Sequence, residues 1–458
     1  MKKKYVRWTL WTIASPFILF IILCILIYLP PIQNFLVDKA AVYASEATGM
    51  NISVGRISLS FPLNLVVTNV DAASPHNDTL LSVRRLQVNV QLLPLLKKQV
   101  EVDGISLQGA TVNSNDLIHG MKLNGTLGEL FISSHGVALD PETAIVNKVL
   151  LKDTDLSLCL NDTAAADTAA SDPTYWKIIL QDIDLQNVSF ALDMPLDSLS
   201  LAASLDNATL RDGLIDLHKS AYSLQTFRIK NGRVRYDSGR PSATASADSL
   251  SAGLDPSHIA LTDIGVKLDS LYYEGRNMKA VISQFVLKER SGVEIVSTEG
   301  RLVSNDKVLR VPSLKLETRD SYLELNAAMD WNALDFKDEG LVSARLMADI
   351  GKPDVVRFMG SMDEKFIRQY PSEPLRIRTG IDGDLNKLKL TTLTAELPGA
   401  LGLFARGELT HLTDSLLRGG DITLEAETKD LKFVSTLAEG IEIPYGTRLE
   451  GKFTMAGT

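Results

Sequence analysis

The sequence predicts a mainly β protein: an N-terminal transmembrane helix, then an elongated, curled β-sheet groove of stacked β repeats with a few short helices. Three observations predict it. A long apolar run without charge lies near the N-terminus. From Ile52 onward the apolar residues recur with a period of two, the spacing of half-buried strands with one wet face. Turn residues punctuate these runs without the strand–helix rhythm of a parallel α/β fold.

The elements follow in order. Residues 1–7 carry Lys2, Lys3, Lys4 and Arg7 and are expected to form a cytoplasmic tail, because basic residues stay on the inner side of a membrane. Residues 8–29 are expected to be the anchor. Trp8 to Val37 holds no charge, and its apolar heart, Leu10 to Leu29, spans roughly 30 Å as a helix, the thickness of a bilayer core. Trp8, Trp11 and Tyr28 sit where amphipathic rings favour the headgroup layer. The apolar core exceeds that of a cleaved signal peptide, so the anchor is expected to stay attached. Residues 30–49 read as an amphipathic juxtamembrane helix with Gly49 as its stop.

Residues 50–350 are expected to form the N-terminal β-groove. Leu156, Leu158 and Leu160 alternate with Ser157 and Cys159; Leu314, Leu316, Leu323 and Leu325 alternate with Lys315 and Glu324. A short pattern recurs: Ile105-Ser-Leu107-Gln-Gly-Ala-Thr-Val112, Ile183-Asp-Leu185-Gln-Asn-Val-Ser-Phe190, Phe227-Arg-Ile229-Lys-Asn-Gly-Arg-Val234, and a looser copy from Val149 to Leu156. In each, the apolar parity flips across a Gly, Asn or Asp, which requires either a tight two-residue turn or a bulge. A second pattern, Gly-x-apolar, recurs at Gly125, Gly300, Gly383, Gly407 and Gly451. Glycine weakens a strand, so its repeated use there points to sheet bends. Residues 161–173 hold no large apolar side chain between Asn161 and Asp172 and are expected to form a mobile loop.

Residues 351–458 are expected to be repeat units of helix plus β-groove. Asp354 to Met359, with Phe366, Ile367 and Tyr370, reads as a short helix ended by Pro371; Asp430 to Val434 with Leu437 reads as its shortened echo. The array is expected to continue beyond Thr458.

Composition and motifs exclude much else. A net charge of −9 argues against nucleic acid, which needs a basic stripe. Cys24 and Cys159 are the only cysteines, so neither a disulfide framework nor a cysteine zinc site is expected. The six histidines are scattered, and no nucleophile elbow, phosphate-binding glycine loop or zinc-protease helix motif occurs. No catalytic residue, metal or cofactor is expected, and the chain does not read as an enzyme. One-sided strands must instead cover their apolar face. A sheet curled about its long axis would form a trough, and an empty apolar trough calls for an apolar ligand. With an anchor at one end, lipid is the expected ligand. The candidate lining residues are Ile105, Leu107, Val112, Leu156, Leu158, Leu160, Ile183, Leu185, Phe190, Phe227, Ile229, Leu314, Leu316, Leu323 and Leu325.

The anchor, Leu29-Pro-Pro-Ile-Gln-Asn-Phe-Leu36, Gly49 to Leu59 and Phe61 to Val70 resemble the start of AsmA- and TamB-like proteins. Phe227 to Asp237 is similar to their strand–Asn-Gly–strand signature, and Leu314 to Leu325 and Leu393 to Leu409 to their groove repeats. The resemblance implies a single-pass protein of the bacterial inner membrane, N-terminus cytoplasmic, with a periplasmic taco-shaped groove. It implies phospholipid as the partner, conducted towards the outer membrane. TamB-type members also dock on an outer-membrane barrel protein through a C-terminal domain, which is not expected within residues 1–458. The alternative is an assembly factor that guides outer-membrane β-proteins by strand pairing. Separately, Asp162-Thr-Ala164 and Asp167-Thr-Ala169 resemble acceptor triplets of bacterial O-glycosylation, which would modify Thr163 and Thr168.

Overall fold

A computed structural model describes residues 39–455 except 40, 43, 44, 47, 61–63, 75–77, 92–101, 115–119, 139–141, 162–174, 240–252, 338, 360–363 and 437–443. The expected anchor, Thr163 and Thr168 lie outside the described residues. Among those residues no helix is long and apolar enough to cross a membrane. The described residues between 39 and 48 are helical up to Gly49. There φ is +69° and the Gly49 N–H donates to the Ser45 carbonyl at 2.9 Å, so this glycine ends the helix.

The chain divides into two compact units, 1–196 and 197–458. The boundary expected near residue 350 falls inside the second. Both units are β, as expected from the period of two.

The first unit is a sheet of seven strands: β1 (Asn51–Ser60), β2 (Asn64–Ala73), β3 (Thr79–Val90), β4 (Val102–Asn113), β5 (Met121–Ala138), β6 (Thr143–Leu160) and β7 (Lys177–Met194). Neighbours pair antiparallel in chain order as far as β6. β7 then pairs parallel to β6, with Thr143 opposite Lys177 and Cys159 opposite Asp193. A parallel pair needs a long connection; the loop expected at 161–173 falls between β6 and β7 in the sequence, and from 162 to 174 it lies outside the described residues.

The second unit begins with β8 (Leu199–Asp216), β9 (Ala221–Leu224), β10 (Thr226–Ser238) and β11 (His258–Glu274). β9 and β10 form one strand interrupted at Gln225, flanked by β8 and β11. An antiparallel meander follows: β12 (Asn277–Glu289), β13 (Glu294–Ser304), β14 (Val308–Thr318), β15 (Tyr322–Asp330), β16 (Leu341–Ile350), β17 (Leu375–Asp384), β18 (Lys387–Leu397), β19 (Leu401–Thr410), β20 (Gly419–Thr428) and β21 (Arg448–Met455).

Among the described residues three short helices interrupt the meander: α1 (Trp331–Leu334), α2 (Lys352–Phe358) and α3 (Glu364–Gln369). The helix expected from Asp354 is therefore two. Its expected echo is a single 3₁₀ turn, Val434–Thr436. Leu431 and Phe433 are both buried in one cluster, and an α-helix would splay residues two apart. That cluster joins Phe366, Tyr370, Leu397, Ala400, Leu431 and Phe433, with Phe366 and Phe433 edge to face at 5.8 Å. Asp354, 1% exposed, ties α2 to the β14–β15 turn. Its carboxylate accepts hydrogen bonds from Thr318, from Ser321 Oγ at 2.6 Å and from Arg357 at 3.0 Å.

Candidate functional site

The parity flips turn out to be bulge-like residues inside continuous strands, not turns. In all four recognised copies the fifth residue has a left-handed backbone: Gly109 at φ +62°, Asp153 at +50°, Asn187 at +51° and Asn231 at +53°. Gly, Asn and Asp tolerate that conformation best. Three further copies share the geometry: Leu65 to Ala72 around Asn69, Ala208 to Ile215 around Asp212, and Ile259 to Val266 around Asp263. Sequence reading missed them. The signal was present, an Asn or Asp two residues after an apolar-x-apolar pair.

In the first unit these residues line up. Val54 faces Val70 and Arg56 faces Thr68, so Gly55 lies opposite Asn69. The same framing sets Asn69 opposite Arg84, Arg84 opposite Gly109, Gly109 opposite Gly128, Gly128 opposite Asp153 and Asp153 opposite Asn187. Register is the same on both sides of this row. Every strand therefore carries one additional outward residue at the same level, and the sheet has a transverse crease. Left-handed residues stand in β2, β4, β6 and β7; in β1, β3 and β5, which run the other way, Gly55, Arg84 and Gly128 occupy the row without positive φ. Asn187 Nδ2 donates to Asp153 Oδ1 across it at 2.9 Å.

The crease keeps the apolar residues on one face. On one side of it, Leu86, Leu107, Leu130, Leu151 and Leu185 lie opposite one another strand by strand, and Val88, Ile105, Ile132, Val149 and Ile183 form the next row. On the other side Val112 faces Leu81 and Gly125, Leu156 faces Gly125 and Phe190, Leu158 faces Leu123 and Leu192, and Leu160 faces Met121. The opposite face is polar: Asp71, Ser82, Thr111, Thr126, Asp155 and Ser189 form one row, with Ser82 donating to Asp71 at 2.6 Å.

The second unit segregates in the same way. Phe227 lies between Leu210 and Leu268, and Ile229 between Ala208 and Val266. Leu314 lies between Gly300 and Leu325, Leu316 between Thr298 and Leu323; Leu325 continues to Leu346 and Leu323 to Ala348. β8, β10 and β11 carry the left-handed residues Asp212, Asn231 and Asp263, whereas β14 and β18 correct phase by single-strand bulges with register shifts. Pro312 and Ser313 absorb one residue in β14, where Asn326 Nδ2 donates to the Pro312 carbonyl at 2.7 Å. In β18 Thr391 and Thr392 do so, and Thr391 Oγ1 donates to the Gly380 carbonyl at 2.8 Å. On the polar face Thr454 donates to Asp421, and this bond together with Lys452 holds the Asp421 carboxyl below its usual range.

The apolar face is partly covered: fourteen of the fifteen candidate lining residues are partly buried and one is exposed. None of the fifteen candidate lining residues belongs to the buried core, whose members include many alanines, and Phe190 is 38% exposed. The five glycines differ among themselves. A β-carbon on Gly125 would stand 2.4 Å from the Asp155 carbonyl oxygen, and on Gly407 2.1 Å from that of Asp421. Neighbouring backbones approach there more closely than any side chain permits. Gly383, at φ +142°, is crowded by the Lys387 carbonyl. Gly300 would meet a Leu314 methyl at 2.9 Å, whereas Gly451 would meet nothing nearer than the Phe453 ring at 3.5 Å.

Among the described residues no group of three or more His, Cys, Asp or Glu is placed to hold a metal ion. Comparison with protein-family models and with curated proteins finds no match for this chain.

Proposed function

We propose that this protein is an inner-membrane-anchored conduit of the bacterial periplasm, single-pass, that conducts phospholipid between the inner and outer membranes. One observation carries the reading: within each unit, strand after strand places its apolar residues on one face, and the candidate lining residues there are only partly buried. An apolar face that is not fully covered calls for a partner. Acyl chains suit it, because they need burial without hydrogen-bond partners, and each square ångström of apolar surface withdrawn from water contributes roughly 25 cal/mol. The expected anchor and the resemblance to AsmA- and TamB-like proteins support the same reading. A passive groove protein of this kind needs no catalytic residue, and we infer that it is not an enzyme.

The experiment compares Leu158→Asp with Ser157→Asp. Strand side chains alternate, so the first puts a carboxylate on the apolar face and the second on the polar face. An unpaired carboxylate in an acyl path costs more than a buried neutral polar group, unless it meets water or neutralises. Leu158→Asp is expected to leave protein levels intact while raising outer-membrane permeability in cells that depend on this protein. Ser157→Asp is expected to change neither. Normal permeability in both variants would remove the conduit from this strand.

The runner-up reading is an assembly factor for outer-membrane β-proteins that acts with a barrel partner by strand pairing.

A further inference from the structure

On the polar face of the first unit, beside the crease, lies a cavity of about 490 Å³ lined by Gly55, Arg56, Ser58, Val66, Thr68, Asn69 and Arg85. Its chemistry is one-sided. Two guanidinium groups, two hydroxyls and a side-chain amide can all donate hydrogen bonds into it, and no carboxylate lines it, in a chain whose net charge is −9. Arg56 and Arg85 flank Thr68 in a single cross-strand row. At strand spacing their backbones are roughly 10 Å apart, so two long side chains can close on one tetrahedral anion.

Neither arginine is neutralised. Arg56 has no hydrogen-bond or ion-pair partner among the described residues, and Arg85 donates to the neutral Gln87 side chain at 3.2 Å. The crease makes the space. A β-carbon on Gly55 would stand 3.0 Å from Asn69 Cβ, so the missing side chain keeps the floor between β1 and β2 clear. From these features we propose that Arg56, Arg85 and Thr68 form a phosphate-binding site, taking a phosphate mono- or diester or the free anion. The site lies on the face opposite the apolar rows, so it stands or falls separately from lipid conduction.

The test uses the full chain held in amphipol in phosphate-free buffer. Inorganic phosphate is titrated calorimetrically in one arm. In the other, vesicles of phosphate-free galactolipid, with or without phosphatidylglycerol, are tested for co-sedimentation. The site is expected to bind in at least one arm, and Arg56→Gln with Arg85→Gln is expected to weaken that binding about tenfold. Arg56→Lys with Arg85→Lys, which keeps charge but loses the planar fork, is expected to restore only part of it. A heat signal with inorganic phosphate assigns the free anion as ligand; capture by phosphatidylglycerol vesicles alone assigns a lipid headgroup. Binding in neither arm overturns the proposal. So does equal weakening by Lys152→Gln, which lies in the same cross-strand row but outside the cavity, because it would mean diffuse attraction to charge.

Discussion

The first unit and the later strands of the second keep an apolar face continuous by different means. In the first unit all seven strands flip parity together along the row from Gly55 to Asn187, and register is preserved. In the second, β14 and β18 correct themselves singly, at Pro312–Ser313 and Thr391–Thr392, and register shifts by one. A collective crease makes every strand depend on its neighbours. An isolated bulge is a local matter, since one additional residue is looped out of an otherwise regular ladder.

The sharpest way to break this contrast is to delete one residue from each device. Deleting Pro312 leaves a single residue between Val311 and Leu314, which is ordinary alternation; the sheet is expected to hold with a change of about 1 kcal/mol or less. Deleting Asp153 removes the crease residue from β6 while β5 and β7 keep theirs, so one half of β6 loses its phase with both neighbours. A loss of about 3 kcal/mol or more is expected in denaturant unfolding. Similar costs for the two deletions would end the distinction.

Smaller effects test what the units share. Gly125 and Gly407 each sit where a β-carbon would run into a neighbouring carbonyl, whereas Gly402, in the same strand as Gly407, has nothing within 4 Å. Gly125→Ala and Gly407→Ala are each expected to lower stability by about 1–3 kcal/mol, and Gly402→Ala to be neutral within about 0.5 kcal/mol. Thermal unfolding of the three variants is the measurement. An effect within the same range is expected at Asn187. Alanine there both adopts an unfavourable φ and loses the bond to Asp153, for about 1–2 kcal/mol. Glycine relieves the strain and should recover about half.

Much of this architecture was legible in sequence because it is written locally. Alternation at Leu156–Leu160 and Leu314–Leu316 marks strands, and the flip around Gly109, Asp153, Asn187 and Asn231 marks a departure from straight pairing. What sequence could not supply is neighbourhood. That Asp153 stands opposite both Gly128 and Asn187 follows only from pairing, including the parallel pairing of β6 with β7. The phosphate cavity stayed hidden for the same reason, since Arg56 and Arg85 are far apart in the chain and meet across Thr68. The Gly-x-apolar pattern merged unlike cases: Gly407 is sterically required, while Gly451 has room for a side chain. The echo helix expected at Asp430–Val434 from its likeness to the Asp354 segment is a 3₁₀ turn instead, because Leu431 and Phe433 both pack into one buried cluster, which residues two apart on an α-helix do not.

The central claim is that the common apolar face holds acyl chains. A photo-crosslinking amino acid placed at Leu158, and separately at Ser157, tests it directly in living cells. The two positions are adjacent in β6 and point to opposite faces. Mass spectrometry of the irradiated, purified protein should find phospholipid attached at position 158 and none at 157. Lipid at neither position, or equally at both, would contradict an open face that carries lipid.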